Sequence, residues 1–115
     1  MKNKAINSYM KPNKYHSKKA TYNGYTYHST LEANYARQLD WQIKAKEVKS
    51  WERQYKIDIT VNGIHITNYF IDFKVYYTDG HVEYIEIKGF ETDLWRIKWR
   101  LAQAMYPDYT FRLIK

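Results

Sequence analysis

Two short segments of the chain carry side chains that suit chemistry on a phosphate ester. The segment 70–73 (FIDF) sets Asp72 inside an apolar strand, and the segment 86–88 (EIK) sets Glu86 and Lys88 two residues apart. Because residues two apart on a strand point to the same side, Glu86 and Lys88 share one face. Two acids and a lysine on one face could hold a divalent cation beside a phosphodiester, provided that Asp72 joins them.

The turn between the two segments decides whether Asp72 does so. A two-residue loop at 79–80 would set Asp72 opposite Ile87, whereas a three-residue loop at 78–80, with its glycine left-handed, sets Asp72 opposite Glu86. We predict the three-residue loop, because it also separates apolar from polar side chains. It gives an apolar face of Ile71, Phe73, Val75, Ile85 and Ile87 and a mixed face of Phe70, Asp72, Lys74, Tyr76, Tyr84, Glu86 and Lys88.

Two carboxylates directly opposite each other on a sheet repel, and a divalent cation between them removes the repulsion. Magnesium binds through one or two carboxylates, waters and phosphate oxygens, so we predict Mg²⁺ or Mn²⁺ on Asp72 and Glu86, with the backbone carbonyl of Ile87 as a further ligand. Such an ion polarises a phosphodiester and activates water. Lys88 could orient or deprotonate that water, or stabilise the transition state. The alternative is an exposed ion-pair cluster on a solvated face.

The positive charge of the chain is concentrated at its start. The whole chain has 19 basic and 12 acidic residues, and the first 28 residues hold six of the lysines and no acid. We predict a flexible basic arm over residues 1–14, followed by one domain over 15–115. An arm of this kind grips phosphate or serves as a solubilising tail. The lysines predicted to contact nucleic acid are Lys14, Lys18 and Lys19.

The composition excludes several other classes of protein. The chain has no cysteine, which excludes disulfides, thiol chemistry and cysteine-ligated zinc. It has no apolar run of membrane-spanning length and no signal peptide, so we predict no membrane partner and a cytoplasmic location, in the host cell if the chain is phage-encoded. At 115 residues it can build one modest core.

The elements that must position the acids can be read from turns and caps. Asn23-Gly24 predicts a tight hairpin, and Ser29 with Glu32 matches a capping box that begins a helix ending near Lys46. Strands are predicted over 51–61, 64–77 and 81–88. Asp93 should cap a second helix that stops at Pro107 and precedes a strand over 109–114. The predicted apolar faces are Leu31, Tyr35, Leu39 and Ile43 on the first helix and Leu94, Ile97, Leu101 and Met105 on the second. The fold class is α+β: helix, three-stranded antiparallel meander, helix, strand.

Over about residues 14 to 114 the chain resembles the PD-(D/E)XK (restriction-endonuclease-like) nuclease superfamily, and more narrowly a family of small phage-encoded proteins within it. The residues that carry the resemblance are Lys14-Tyr15, the hairpin, Ser29-x-x-Glu32-Ala33, Gln54, Ile71-Asp72-Phe73, Glu86-Ile87-Lys88-Gly89-Phe90 and the second helix. The proline that names the motif is absent, since Ile71 stands before Asp72. The resemblance implies a nuclease-like domain with Asp72 and Glu86 as metal ligands and Lys88 as the catalytic lysine.

The resemblance also implies that Glu32 is an additional acid, reaching the metal directly or through water; its place in the capping box explains it equally well. It implies a homodimer. Further predicted contacts to nucleic acid are Gln54, Lys74, Arg96 and Arg100. Arg96 and Arg100 form a helical stripe that could track a DNA backbone or be a solvated face. Trp95 and Trp99 could be core residues, a dimer contact or a stacking platform, and partial burial is the expectation.

We therefore predict a metal-dependent DNA endonuclease, with specificity for Holliday junctions or other branched DNA as the narrower hypothesis. The alternative is a non-catalytic nucleic-acid-binding module on a nuclease-like fold, which would use the basic arm and the tyrosines and show no cleavage. A structural or inhibitory phage protein is a third hypothesis. The intact acids and Lys88 argue against it.

Overall fold

The computed structural model describes residues 18–115, and all that follows concerns these residues. The elements in chain order are β1 (Ala20–Tyr22), β2 (Tyr25–Tyr27), α1 (Thr30–Lys44), β3 (Val48–Val61), β4 (Ile64–Tyr77), β5 (Val82–Ile87), α2 (Asp93–Met105) and β6 (Thr110–Ile114). The predicted order of helix, three strands, helix and strand is confirmed. The arm predicted over residues 1–14, with its Lys14, lies outside the described residues.

Four strands form a mixed sheet in the order β3-β4-β5-β6. The pairs β3–β4 and β4–β5 are antiparallel, and β5–β6 is parallel. A parallel pair needs a crossover connection, which α2 provides. The fold class is therefore α+β, and the predicted antiparallel meander forms the strands β3, β4 and β5, with β6 at the opposite edge of the sheet from β3. Neither helix of the described chain is long and apolar enough to cross a membrane.

The chain divides into two units, Met1–Gln38 and Leu39–Lys115. In the first, β1 and β2 pair around Asn23-Gly24, whose φ angles of 51° and 85° fit a tight turn with positive φ at both central residues. The helix α1 then begins with the predicted cap, since the Glu32 N–H donates to Ser29 Oγ at 3.1 Å. The prediction of one domain over 15–115 stays a prediction.

In the second unit, the β4–β5 turn has the predicted three-residue loop at 78–80. The Tyr77 N–H donates to the His81 carbonyl at 2.9 Å across it, and Gly80 has a φ of +98°, which favours glycine. The regular pairing runs from Tyr76–Val82 to Phe73–Ile85. Asp72 and Glu86 are the next residues on the two strands, so the predicted hairpin register is confirmed as far as the site.

The buried faces of both helices differ from the predicted ones. On α2, Leu101 and Met105 pack against the core as predicted, but Leu94 and Ile97 are 63% and 57% exposed. Trp95 and Ala102 are buried in their place, with Trp99 packed beside them. The two indole rings remove more apolar surface from water than the aliphatic stripe would. The partial burial expected of the two tryptophans is confirmed for Trp99, whereas Trp95 is buried. On α1, Tyr35 and Leu39 are buried as predicted, whereas Leu31 and Ile43 are exposed.

Two further details correct the prediction. The cap of α2 is Thr92, whose hydroxyl accepts from the Trp95 N–H at 3.1 Å, and Asp93 is the first helical residue. The separation of the two sheet faces is also incomplete, since Ile71 and Tyr84 belong to the same buried cluster. Regular pairing of β4 with β5 ends at Phe73–Ile85, so strict alternation does not extend to Ile71.

Candidate active site

Asp72 and Glu86 are buried acids at the point where the β4–β5 pairing ends. Their relative exposures are 7% and 4%. Lys88, which follows the end of β5, is partly buried, and its Nζ lies 3.8 Å from Glu86 Oε2. The structure therefore brings together the three residues that the two sequence motifs predicted. It also removes the exposed ion-pair alternative, because both acids are shielded from water.

The Asp72 carboxylate is held by two donors. The Ile87 N–H donates to Oδ2 at 2.8 Å, and Gln54 Nε2 donates to Oδ1 at 3.2 Å. Both bonds cross between strands, from β5 on one side and from β3 on the other. They fix the orientation of the carboxylate before any ligand arrives, which is what a preformed site needs.

Gln54 reaches Asp72 through an unusual backbone. It lies inside β3, between the pairs Arg53–Phe73 and Tyr55–Ile71, so it stands opposite Asp72. Its φ is +49°, in the left-handed region. A non-glycine residue held there costs about 1–3 kcal/mol, and such residues cluster at functional sites. Gln54 is predicted from the sequence to contact nucleic acid, but no sequence signal indicates its strained backbone.

The Glu86 carboxylate is held by a tyrosine that sequence reasoning missed. The Tyr69 hydroxyl donates to Glu86 Oε1 at 2.8 Å, and it accepts from Trp95 Nε1 at 3.1 Å. The Lys88 ammonium also lies over the Trp95 ring, 5.0 Å from its centroid. Tyr69 precedes Asp72 by three residues, so strand alternation put it on the other face of β4. Only the end of regular pairing, which the sequence does not display, allows it to reach Glu86.

The electrostatics of the pair follow from burial and from like charge. Burial, and then the negative charge of Asp72, raise the pKa of Glu86 well above its usual range, against the opposing effects of Tyr69 and Lys88. Burial and the charge of Glu86 likewise raise the pKa of Tyr69, which remains a neutral donor. The site therefore resists carrying two negative charges without a further cation.

The donor set fits a hard divalent cation. No group of three or more His, Cys, Asp or Glu side chains that could hold a metal occurs within residues 18–115, so the described site offers two carboxylates. Magnesium needs one or two carboxylates and completes its shell with water and phosphate oxygens. Asp72 Oδ2 and Glu86 Oε1 already accept protein hydrogen bonds, and each carboxylate retains lone pairs for a ligand. A ligand role for the Ile87 carbonyl stays a prediction.

Glu32 lies in the first turn of α1, in the unit Met1–Gln38, and is 7% exposed. A buried acid is unusual, and capping alone does not require its side chain to be buried. Its role as a further metal ligand stays a prediction.

The residues predicted to contact nucleic acid have varied surroundings. Lys18 and Lys19 are exposed ahead of β1, and Arg100 is exposed on α2. Arg96 is exposed but forms ion pairs with Glu91 at 3.3 Å and Asp93 at 2.9 Å. These four remain predicted contacts.

Lys74, on the mixed face, is surrounded by aromatic rings. Its Nζ lies 4.3 Å from the centroid of Tyr55, 5.0 Å from that of Tyr76 and 5.3 Å from that of Tyr84. Burial disfavours its charge, but the neighbouring tyrosine hydroxyls favour it more, so its pKa is raised and it stays protonated. Its predicted contact to nucleic acid is untested.

The family model for the protein family of unknown function DUF1064 matches residues 12–115, so the chain belongs to that family. No curated protein and no solved structure matches the chain.

Proposed function

We propose that this DUF1064 chain is a metal-dependent DNA endonuclease, with Asp72 and Glu86 as ligands of Mg²⁺ or Mn²⁺ and Lys88 beside them. One observation carries the proposal: two buried carboxylates lie on neighbouring strands, each directly beyond the last regular β4–β5 pair, and the Lys88 ammonium is 3.8 Å from one of them, Glu86. The α+β order of elements and the resemblance to the PD-(D/E)XK superfamily support the same assignment.

Stability alone does not account for this arrangement. Burying a charge is costly unless it is paired, and Glu86 is buried beside a second acid, Asp72, with the Lys88 ammonium 3.8 Å away. Hydrogen bonds from Gln54, Ile87 and Tyr69 orient the carboxylates without neutralising them. A bound divalent cation would balance the remaining negative charge of the two buried acids and would make the site able to catalyse hydrolysis.

The side chains have separate tasks in hydrolysis. The bound ion supplies Lewis-acid polarisation of the phosphate and a more acidic water. Asp72 and Glu86 hold it through oxygens that their donors have already oriented. Lys88 donates hydrogen bonds to a phosphate oxygen and offsets the negative charge that grows there. Water adds across one P–O bond, leaving a phosphate on one end of the strand and a hydroxyl on the other.

The choice of DNA as substrate is supported by charge. The net charge is +7, six of which come from lysines in the first 28 residues. A basic segment of this kind binds phosphate without reading sequence. Within the proposal, branched DNA such as a Holliday junction is the narrower hypothesis, and action as a homodimer accompanies it. Both come from the resemblance to the superfamily.

The test is a panel of labelled linear, flap and four-way-junction DNAs incubated with Mg²⁺. We expect wild type to cut at least one member, and Asp72→Ala to bind DNA but not cut it. Asp108→Ala, which removes an exposed acid, is the matched control and should cut normally. Binding without cleavage of any member, with Mg²⁺ or Mn²⁺, would contradict the proposal and favour a non-catalytic binding module.

A further inference from the structure

A hydrogen-bond chain connects α2 to the acid on β5. Trp95 Nε1 donates to the Tyr69 hydroxyl at 3.1 Å, and that hydroxyl donates to Glu86 Oε1 at 2.8 Å. The three residues are 7%, 4% and 4% exposed. Both hydrogen bonds are therefore shielded from water.

The direction of the chain is fixed by its first member. An indole N–H can only donate, so the Tyr69 oxygen accepts from it and the Tyr69 proton points to Glu86. One oxygen of the Glu86 carboxylate, Oε1, is therefore occupied by a hydrogen bond from the protein. The other oxygen, Oε2, is the one that lies 3.8 Å from Lys88 Nζ.

The hydroxyl of Tyr69 is more than a packing element. A phenylalanine at this position would fill nearly the same space without burying a polar group that needs two partners. Asp72 is held by the protein as well, since Oδ2 accepts from the Ile87 N–H at 2.8 Å and Oδ1 accepts from Gln54 Nε2 at 3.2 Å. Each acid thus has at least one oxygen fixed by a hydrogen bond from the protein. Partners of this kind orient metal ligands and tune metal affinity.

We propose that Tyr69, held in turn by Trp95, is a positioning residue that fixes the rotamer of Glu86 so that Oε2 faces the cation and the phosphate. The inference rests on the metal centre of the proposed function. It adds two residues to that centre that neither the sequence motifs nor the family match indicates.

The first measurement is Mn²⁺ binding by titration calorimetry to the DNA-free full-length protein. Tyr69→Phe should weaken Mn²⁺ affinity about tenfold, the lower end of the range for losing such a partner. Trp95→Phe, which leaves Tyr69 able to donate, should weaken it less. The control is Tyr77→Phe, which also removes a tyrosine–glutamate hydrogen bond, here to Glu83 at 2.7 Å, and should leave the affinity unchanged.

The second measurement is the Mn²⁺ concentration that gives half-maximal cleavage. In Tyr69→Phe it should rise in step with the dissociation constant, and high Mn²⁺ should restore most of the rate, whereas general misfolding would lower the rate at every concentration. Thermal melts identify a variant that fails to fold. If Tyr69→Phe fails to fold, the proposal still requires that Trp95→Phe bind Mn²⁺ more weakly than wild type does.

The outcomes separate the two proposals. A folded Tyr69→Phe with wild-type affinity for Mn²⁺ overturns the positioning role and leaves the nuclease proposal standing. Weaker binding in Tyr69→Phe, with no cleavage of nucleic acid by wild type, supports the positioning role and overturns the nuclease. Wild-type protein that binds no Mn²⁺ overturns both.

Discussion

Glu83 and Glu86 lie on the same strand, three residues apart, and each accepts a hydrogen bond from a tyrosine hydroxyl. Glu83 accepts from Tyr77 at 2.7 Å, and it also has the Arg112 guanidinium at 3.6 Å and the His81 imidazole at 3.8 Å. Glu86 accepts from Tyr69 at 2.8 Å, but it is buried beside another acid, Asp72.

The two glutamates differ in how far the protein balances their negative charge. Glu83 sits in an ion-pair network that balances its charge within the protein. Around Glu86, the described residues provide a hydrogen bond from Tyr69, a second acid, Asp72, and one ion pair, with Lys88 at 3.8 Å. A site that is well oriented and poorly neutralised is suited to a ligand that carries positive charge.

The largest expected effect is on cleavage by isosteric variants of the two glutamates. Glu86→Gln should lower the rate by a factor of about 10³ or more, because a lost metal ligand removes several kcal/mol of transition-state stabilisation. Glu83→Gln should cut DNA at close to the wild-type rate, since Glu83 lies in the ion-pair network. Initial rates on one labelled substrate measure both, and equal losses would erase the distinction drawn between the two residues.

Glu86 and Glu83 should also differ in how they affect the pH dependence of stability in the absence of metal. The raised pKa of Glu86 means that the folded protein keeps a proton which the unfolded chain loses at about pH 4.3. Between that pH and the raised pKa of Glu86, about 8, the folded form binds more protons than the unfolded chain. The unfolding free energy therefore falls as pH rises through this range. Exposed acids such as Asp79, whose pKa a backbone hydrogen bond from His81 lowers, titrate below it.

The measurement is thermal denaturation in EDTA across neutral pH. Wild type should lose stability as pH rises, Glu86→Gln should lose less, and Glu83→Gln should follow wild type. Added Mn²⁺ should reverse the loss in wild type, because the cation replaces the proton. A Glu86→Gln variant with the same pH slope as wild type would show that the buried pair is not its source.

The smallest effect is expected at Gln54. Gln54→Gly relieves the left-handed strain, worth about 1–3 kcal/mol, but adds the backbone entropy of glycine, so stability should change little. Losing the bond to Asp72 should still lower metal affinity and cleavage about tenfold. The control is Asn62→Gly, which changes a residue of similar φ, 51°, at the β3–β4 turn. It should leave cleavage unchanged, and normal cleavage by Gln54→Gly would make the strain incidental.

Much of the fold could be predicted because local chemistry decides it. Turn residues at 23–24, 62–63 and 78–80 set the hairpins, Ser29 set the start of α1, and the three-residue loop fixed the register that brings Asp72 to Glu86. These features depend on a few neighbouring residues, which the sequence displays directly.

The rest of the site depends on tertiary structure. Leu94 and Ile97 form an apolar stripe on α2 as Trp95 and Ala102 do, and which stripe is buried depends on how much apolar surface each removes from water against the sheet. Tyr69 joins Glu86 only where strand pairing ends. The bond from Gln54 to Asp72 needs a backbone conformation that glutamine rarely adopts.

The central claim is tested most directly with closed circular DNA, which an endonuclease can nick and an exonuclease cannot enter. Wild-type protein with Mg²⁺ or Mn²⁺ should convert supercoiled DNA into nicked or linear forms, and EDTA or Glu86→Gln should abolish the conversion. The closed circle should carry a four-way-junction sequence, so that a structure-specific enzyme also finds a substrate. Supercoiled DNA that persists with both metals, or nicking that survives EDTA, would contradict the account.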